Sequence, residues 1–193
     1  TTDKDVILND PEINVVVEVI DDATAAFEIA STAMRNGKHV VSASKKMIAE
    51  NLPALLDLQA QTGKSMLYES AACASIPVIR NLEEYYDNDL ISGLEGIFNG
   101  STNYILTKIF EEKKSYSDAL QQAQELGFAE SDPARDVKGY DPKFKLCIAI
   151  THAFGLFVTP ENVINLGINN LHDLDLKTAR ENGYTIKLIA RAF

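Results

Sequence analysis

Apolar and polar residues in the first third of the chain alternate between the pattern of buried strands and that of amphipathic helices. Residues 13–20 are β-branched and almost continuously apolar, which predicts a strand buried on both faces of a parallel sheet. Pro53 is expected in the first turn of a helix, where its missing N–H costs nothing. In order, the predicted elements are a strand at 13–20, a helix at 24–35, a strand at 39–42, a helix at 51–61 and a strand at 65–69. This β-α-β-α-β order is typical of a doubly wound α/β sheet.

The remainder of the chain mixes strands and helices less regularly. Asp141 followed by Pro142 predicts the start of a helix, with the aspartate as the cap and the proline in the first helical position. Charged residues and glycine or proline breakers predict a loop at 128–140. The other predicted elements are strands at 90–98 and 184–193 and helices at 104–112, 117–126 and 173–182. We therefore assign the chain to the α/β class, with a partial parallel sheet followed by an α+β domain.

The composition makes the chain acidic, because 28 acidic side chains outnumber 18 basic ones and give a net charge of −10. An acidic surface repels phosphate backbones and anionic lipid headgroups, so we expect neither a nucleic acid nor a membrane as partner. No apolar run approaches the ~20 residues that span a bilayer, and the polar start lacks the order of a signal peptide. Two cysteines outside any CxxC spacing favour free thiols in a cytoplasmic protein over a single disulfide.

The first candidate site is the segment that follows the predicted strand at 39–42, which carries Ser42, Ser44, Lys45 and Lys46. Ligands of open α/β sheets bind beyond the carboxyl ends of the strands, so a lysine here can meet an anion or a carbonyl oxygen. On spacing alone, a solvated pair of surface lysines explains the segment better. Neither a GxGxxG nor a GxxxxGK[ST] motif is present, so the first third looks like half of a nucleotide-binding unit without its phosphate loop.

The second candidate site is the charged segment at 130–141, which leads to Lys145. Asp141 and Lys145 are four residues apart and would lie on one helix face. Carboxylates clustered beside a lysine can bind the ammonium group of an amino-acid substrate. From the charge pattern alone, a helix cap with a surface ion pair is the better explanation, and such a pair stabilises a helix by only about 0.3–0.5 kcal/mol.

The third candidate site lies at the junction of a predicted strand and a helix, at 96–104. Gly100 permits close approach of a ligand to the backbone. Ser101 and Thr102 can cap the helix and also donate hydrogen bonds to a ligand. A helix cap alone would explain the same residues.

These segments taken together resemble homoserine dehydrogenase, and in chain order the resemblance covers nearly the whole chain. GKHVVSASK at 37–45 is similar to the GK-x-VVTANK segment of that family. GIFNGSTNYIL at 96–106 also matches, as does AQELGFAESDP at 123–133, which continues through Asp136 and Asp141 to Lys145. The remaining matches are 14–18, Glu69 with Ile76 and Pro77, and 186–190. The length of the match at 123–145 carries most of the resemblance.

The resemblance implies NAD(P)-dependent interconversion of L-homoserine and L-aspartate 4-semialdehyde, a step toward threonine and methionine. Lys145 is implied as the general acid toward the aldehyde oxygen, with Lys45 polarising that oxygen or serving as the alternative donor. The implied residues around the small-molecule amino-acid substrate are Glu130, Asp136, Asp141, Gly100, Ser101 and Phe128.

The resemblance also implies a cofactor site, a cation site and a homodimer. NADP or NAD would contact Ser42, Ser44 and Lys45. A monovalent cation would be bound at Glu69, Ala72 and Ala74. Residues 70–75 lack the glycines that the family has here. The added Cβ atoms restrict positive φ and close approach, which disfavours both the cation site and the fit of the nicotinamide.

On this resemblance the chain is an internal fragment, possibly of a bifunctional aspartokinase–homoserine dehydrogenase. Residues 1–67 would be the C-terminal part of a nucleotide-binding Rossmann domain without its phosphate loop. Residues 68–193 would be a substrate-binding, catalytic and dimerisation domain that lacks its C-terminal end. We expect the fragment alone to bind NAD(P) poorly and to have little activity. The alternatives are a non-catalytic amino-acid-binding or regulatory module and another amino-acid semialdehyde dehydrogenase.

Overall fold

A three-stranded parallel sheet opens the fold, which the computed structural model describes over residues 1–86 and 90–193. Its strands lie in the spatial order β1-β2-β3, with Val16 opposite Val40 and Val40 opposite Met66. The elements are α1 (Lys4–Asn9), β1 (Val15–Glu18), α2 (Ala23–Arg35), β2 (His39–Ser42), α3 (Lys45–Thr62) and β3 (Met66–Leu67). The predicted α/β class and the β-α-β-α-β order are therefore confirmed.

The described chain divides into two units. The first unit comprises Thr1–Ser92 and Cys147–Asn162, and the second unit comprises Gly93–Leu146 and Val163–Phe193. The helices that complete the first unit are α4 (Glu69–Cys73), α5 (Val78–Glu84), the later turns of α9 (Tyr140–Phe154) and a 3-10 turn at Pro160–Asn162. Within the described residues, no helix combines the length and the apolar character that crossing a membrane requires.

The strand predicted at 13–20 is wrong in both its length and its burial. β1 spans only four residues, in which Val16 and Glu18 are buried while Val15 and Val17 are 51% and 65% exposed. Successive side chains of a strand point to opposite faces, so this alternation means that one face is covered and the other is not. In the described part of the chain, α2 packs against β1 and β2.

The helix α3 begins six residues earlier than the prediction, at Lys45 instead of Asn51. Met47 and Ile48 are fully buried, so tertiary packing stabilises the first turns. Pro53 consequently lies inside the helix, where it removes one backbone hydrogen bond. The helix ends at Gly63, whose φ of 65° is the left-handed conformation usual after a helix.

A chain of hydrogen bonds joins three elements within the first unit. The hydroxyl of Tyr68, which follows β3, is 3.0 Å from Nε2 of His152 on α9, and Nδ1 of that ring is 2.7 Å from a carboxylate oxygen of Glu83 on α5. Because a carboxylate only accepts, the His152 ring donates from Nδ1 to Glu83. Burial raises the pKa of Tyr68 above its usual value, and the nearby Glu83 charge raises it further.

We expect Tyr68→Phe to lower the free energy of unfolding by about 1–2 kcal/mol at neutral pH, because His152 loses a buried partner. A pKa raised in the folded state gives stability that is present below pH ~10 and is lost as pH rises through the folded value. The deficit of the variant should therefore shrink above pH ~10, where Tyr68 of the unfolded wild type ionises while the buried phenol of the folded protein stays neutral. Urea unfolding of wild type and variant at neutral pH and above pH ~10 measures the difference in the free energy of unfolding. Tyr184→Phe, at an exposed position, is the control, and a deficit independent of pH would contradict the account.

The second unit is built on a two-stranded antiparallel sheet and a helical core. β4 (Leu94–Gly96) pairs with β5 (Ala190–Ala192), so that Leu94 lies opposite Ala192. The helices are α6 (Gly100–Glu111), α7 (Tyr116–Glu125), α8 (Ala134–Val137), the first turns of α9, and α10 (Asp173–Glu181). The core includes the fully buried side chains Ile105, Leu106, Ile109, Ala119 and Ala123.

Several predicted boundaries in the second unit are wrong. The strands predicted at 90–98 and 184–193 shrink to three residues each, because only these residues pair in the described structure. The predicted loop at 128–140 contains α8. Asp141 lies inside the first turn of α9 and is not its cap, since the helix already begins at Tyr140. The helices predicted at 104–112, 117–126 and 173–182 are confirmed with shifts at their ends.

Candidate active site

Asn99 is the centre of a buried polar cluster in the second unit. The residue follows β4 and caps α6, where its Oδ1 accepts from the backbone N–H and the hydroxyl of Thr102, both at 2.8 Å. Its Nδ2 donates to Oδ1 of Asp136 at 2.7 Å and to Oδ2 of Asp141 at 2.9 Å. Asn99, which bridges the two carboxylates, is only 5% exposed.

Lys145 completes this cluster from α9. Its Nζ is 2.7 Å from Oδ2 of Asp141 and donates to the backbone oxygen of Phe98 at 2.9 Å. The side chains of Lys145 and Asp141 are 18% and 7% exposed. The predicted placement of both residues on one helix face is confirmed, and the pair is too buried to be the surface ion pair that the charge pattern favours. We call Asn99, Asp136, Asp141 and Lys145 the carboxylate–lysine cluster.

The turn between the two aspartates is held by the segment at 165–169. The backbone N–H of Ile168 donates to the oxygen of Val137 at 2.7 Å, and Nδ2 of Asn165 donates to the oxygen of Lys138 at 2.8 Å. Gly139 turns the chain at a φ of 80°. Gly167 allows the two backbone segments to touch, since a Cβ there would lie 2.3 Å from the Val137 oxygen. These contacts fix the positions from which Asp136 and Asp141 reach Asn99.

We expect Gly167→Ala to lower the free energy of unfolding by about 2 kcal/mol or more, because the new methyl group would overlap backbone atoms that cannot move aside cheaply. Gly100→Ala is the matched control, since a Cβ at Gly100 meets no atom within 4 Å. Thermal unfolding of the two variants compares them directly. Equal melting temperatures would contradict the close approach at Gly167.

The other predicted substrate residues of the second unit lie around the start of α6. The Ser101 hydroxyl donates to the backbone oxygen of Phe128 at 2.5 Å. The exposed Phe128 ring stacks on Tyr104, with 4.6 Å between ring centroids. Gly100 is the exposed first residue of α6, and Glu130 is exposed beyond α7. The structure thus joins Ser101 to Phe128 by a hydrogen bond. Asn99 joins Asp136 to Asp141, and Asp141 in turn contacts Lys145.

The predicted cofactor residues lie at the carboxyl end of β2 in the first unit. The Ser42 and Ser44 hydroxyls donate to the two carboxylate oxygens of Glu18, at 2.5 and 2.9 Å. Glu18 is only 3% exposed, and it also accepts from the backbone N–H of Ile20 at 2.7 Å. Lys45 follows at once as the first residue of α3. Glu18 therefore organises the segment that presents Lys45.

The predicted cation residues are grouped on and after α4. Glu69 begins the helix, Ala72 is buried within it, and Ala74 follows it with a φ of 53° and a ψ of −113°. The position therefore adopts positive φ even with a Cβ. Both Glu69 carboxylate oxygens accept from backbone N–H groups at the start of α5, those of Ile79 and Arg80, at 2.8 and 3.0 Å. Among the described residues, no three His, Cys, Asp or Glu side chains are grouped to bind a metal ion.

Sequence reasoning missed the roles of Asn99 and Glu18. Both residues lie in segments that resemble the family, but the residue pattern assigns a function to neither. The available signal was the position of each at the end of a strand, followed by residues that donate hydrogen bonds. The cross-strand alignment of Glu18 with Ser42 became visible only with the register of the sheet.

The carboxylate–lysine cluster is suited to bind an amino acid and to transfer a proton to or from an oxygen of that amino acid. Two carboxylates can bind a substrate ammonium group through charge-assisted hydrogen bonds. A lysine beside them can give a proton to an oxygen that gains negative charge, or take one from a hydroxyl group.

Comparison with known proteins gives matches along almost the entire chain. A family model described as "Homoserine dehydrogenase, NAD binding domain" matches residues 1–69, and one described as "Homoserine dehydrogenase" matches residues 77–193. The homoserine dehydrogenase of Bacillus subtilis is 38% identical over 192 residues, covering 100% of this chain and 44% of that protein. The Lactococcus lactis enzyme is 37% identical, covering 94% and 42%. The chain thus spans less than half the length of these relatives.

Solved structures agree with the sequence matches. The crystal structure of a homoserine dehydrogenase from Thiobacillus denitrificans superposes with a TM-score of 0.94 at 37% identity, covering 100% of this chain and 44% of that one. A hyperthermophilic archaeal homoserine dehydrogenase in complex with NADPH superposes with a TM-score of 0.82 at 28% identity, covering 98% and 55%.

Proposed function

Because the chain belongs to the homoserine dehydrogenase family, we propose that the protein containing it interconverts L-homoserine and L-aspartate 4-semialdehyde with NAD or NADP. The observation that carries this proposal is the carboxylate–lysine cluster, which lies inside the matched residues 77–193 and contains Asp136, Asp141 and Lys145. The aldehyde and the alcohol differ by a hydride on carbon and a proton on oxygen. The nicotinamide supplies or accepts the hydride, which leaves the proton and the orientation of the substrate to this chain.

Lys145 is the residue to which we assign the proton. In the reducing direction its ammonium group donates a proton to the aldehyde oxygen as that oxygen gains charge, and in the oxidising direction the neutral amine removes the hydroxyl proton. The Phe98 backbone oxygen and Asp141 fix the position of Nζ from two sides. Lys45 is the candidate that polarises the same oxygen, or the alternative donor.

The acidic residues orient the amino acid. We assign the substrate ammonium group to Glu130 and Asp141, with Asp136 holding that group or the lysine. Ser101, Gly100 and Phe128 line the start of α6 and the turn after α7, where backbone and hydroxyl groups can contact the rest of the substrate.

The first unit offers a fit for the cofactor and for a cation. Ser42 is the last residue of the parallel strand β2, Ser44 caps the 18-residue helix α3, and Lys45 begins that helix. Strand ends and helix amides at such a junction both favour an anionic ligand. Glu69 has lone pairs beyond those used by α5, and the carbonyls of Ala72 and Ala74 lie at a helix end. A monovalent cation would use these oxygen ligands.

A cytoplasmic homodimer is the expected form, on the family resemblance.

Steady-state oxidation of L-homoserine by the full-length protein, with NAD⁺ and NADP⁺ in turn, tests the proposal. We expect turnover with at least one cofactor and much slower turnover of L-serine, whose hydroxyl is one carbon closer to the ammonium group. Saturable homoserine binding without turnover would contradict the proposal and indicate an amino-acid-binding module. Turnover of a different amino alcohol only would indicate another semialdehyde dehydrogenase.

A further inference from the structure

Asn99 has a hydrogen-bond pattern that exceeds the needs of a helix cap. A cap requires only the side-chain oxygen, which here accepts from Thr102. The amide nitrogen has a separate use, since it donates to one oxygen of Asp136 and one of Asp141. The two N–H groups of one amide therefore donate hydrogen bonds to two carboxylates on different helices, that of Asp136 on α8 and that of Asp141 on α9.

The amide of Asn99 reduces the repulsion between the Asp136 and Asp141 carboxylates inside the carboxylate–lysine cluster. Two oxygens that share one donor at 2.7 and 2.9 Å lie at most about 6 Å apart, a range in which like charges oppose each other's ionisation. Lys145 contacts the same Asp141 oxygen that Asn99 contacts. Without the amide donor, the charges of Asp136 and Asp141 would repel each other, and Asp141 would lose one of the two contacts to its Oδ2 that align it with Lys145.

We propose that Asn99 is a positioning residue, whose amide bridges Asp136 and Asp141 so that both face one substrate ammonium group while Asp141 stays aligned with Lys145. This inference rests on the proposed function of the same cluster. Asn99 touches the carboxylates and the cap of α6 and is assigned no contact with the substrate.

Asn99→Asp in the full-length protein separates positioning from capping. The new carboxylate keeps the oxygen that caps α6, and aspartate is as good a cap as asparagine, but it replaces the amide donor with a third negative charge. We expect kcat/KM for homoserine to fall by about 100-fold at pH ~8, mainly through a higher KM. As pH falls toward ~6, the ratio of the variant's kcat/KM to that of the wild type should rise, because a protonated carboxyl group can donate to a neighbouring carboxylate as the amide does. The charged groups that face position 99 are those of Asp136 on α8 and of Asp141 and Lys145 on α9.

Two further variants make the result decisive. Asn99→Ser keeps a capping oxygen but has no group that reaches the aspartates or titrates in this range, so we expect the loss without recovery at low pH. Asn103→Asp introduces the same charge one turn later on α6, where the side-chain oxygen accepts from Lys187, and we expect unchanged kinetics.

The inference is overturned if Asn99→Asp and Asn99→Ser both retain wild-type kcat/KM, or if the loss in Asn99→Asp is the same at every pH. Should Asn99→Asp not fold, wild-type kinetics in Asn99→Ser would overturn the inference alone. If the wild-type protein does not turn over homoserine at all, the proposed function fails instead, so the two failures are distinguishable.

Discussion

Lys145→Met in the full-length protein is expected to lower kcat for aldehyde reduction by about 100-fold or more, while KM for the semialdehyde changes little. Methionine has a similar length but no proton to give, and a positioned general acid contributes typically 10²–10⁴-fold. The position is well defined for this role, because Nζ is fixed by Asp141 at 2.7 Å and by the Phe98 oxygen at 2.9 Å.

The control for this substitution is Lys177→Met on α10. The side chain of Lys177 is 69% exposed, pairs with Glu181 and takes no part in the carboxylate–lysine cluster, so kcat should stay within about twofold of wild type. An unchanged kcat in Lys145→Met would show that the proton comes from Lys45 or from water, and Lys45→Met would then decide between those two.

Asp141→Asn is the second substitution with a large expected effect. The change leaves Lys145 without its anionic partner inside a buried site and places two amides where an amide and a carboxylate had met. Breaking a buried ion pair lowers the free energy of unfolding by about 3–5 kcal/mol. A lysine that is no longer held in place also loses much of the roughly 10²–10⁴-fold rate contribution of a positioned general acid. We therefore expect kcat/KM for homoserine to fall by at least about 100-fold, with KM raised because the ammonium group loses a carboxylate.

Asp118→Asn, an exposed position in the first turn of α7, is the matched control and should change kcat/KM by less than about twofold. Steady-state kinetics of both variants, together with urea unfolding to show that each is folded, make the comparison. A folded Asp141→Asn protein with the wild-type kcat/KM would remove Asp141 from the substrate site.

Local spacing predicted those parts of the site that a single element determines. Asp141 and Lys145 are four residues apart on one helix, so their contact follows from helix geometry alone. Ser42 ends a strand of a parallel sheet and Lys45 follows it, so the place of both at the carboxyl edge of the sheet follows from the topology.

Contacts between elements could not be predicted in the same way. Asn99 at the start of α6 meets Asp136 on α8 and Asp141 on α9, and the segment at 165–169 binds the turn between those two helices. No pattern along the chain predicts contacts between residues so far apart in sequence. Glu18 meets Ser42 through the register of two strands, which depends on their pairing and not on the composition of either.

The errors in element boundaries have physical causes as well. The apolar run at 13–20 predicted burial on both faces, yet periodicity cannot say whether both faces of a sheet are covered. The helix α3 begins earlier than its local pattern predicts. Ser44 caps it without a side-chain hydrogen bond, and the burial of Met47 and Ile48 stabilises its first turns instead.

A crystal structure of the full-length protein with L-homoserine bound tests the central claim most directly. We predict that the substrate hydroxyl lies within hydrogen-bond distance of Lys145 Nζ and that the ammonium group contacts Asp141 or Glu130, with Asn99 still bridging Asp136 and Asp141. Homoserine bound away from these residues, in a protein that turns it over, would contradict the account.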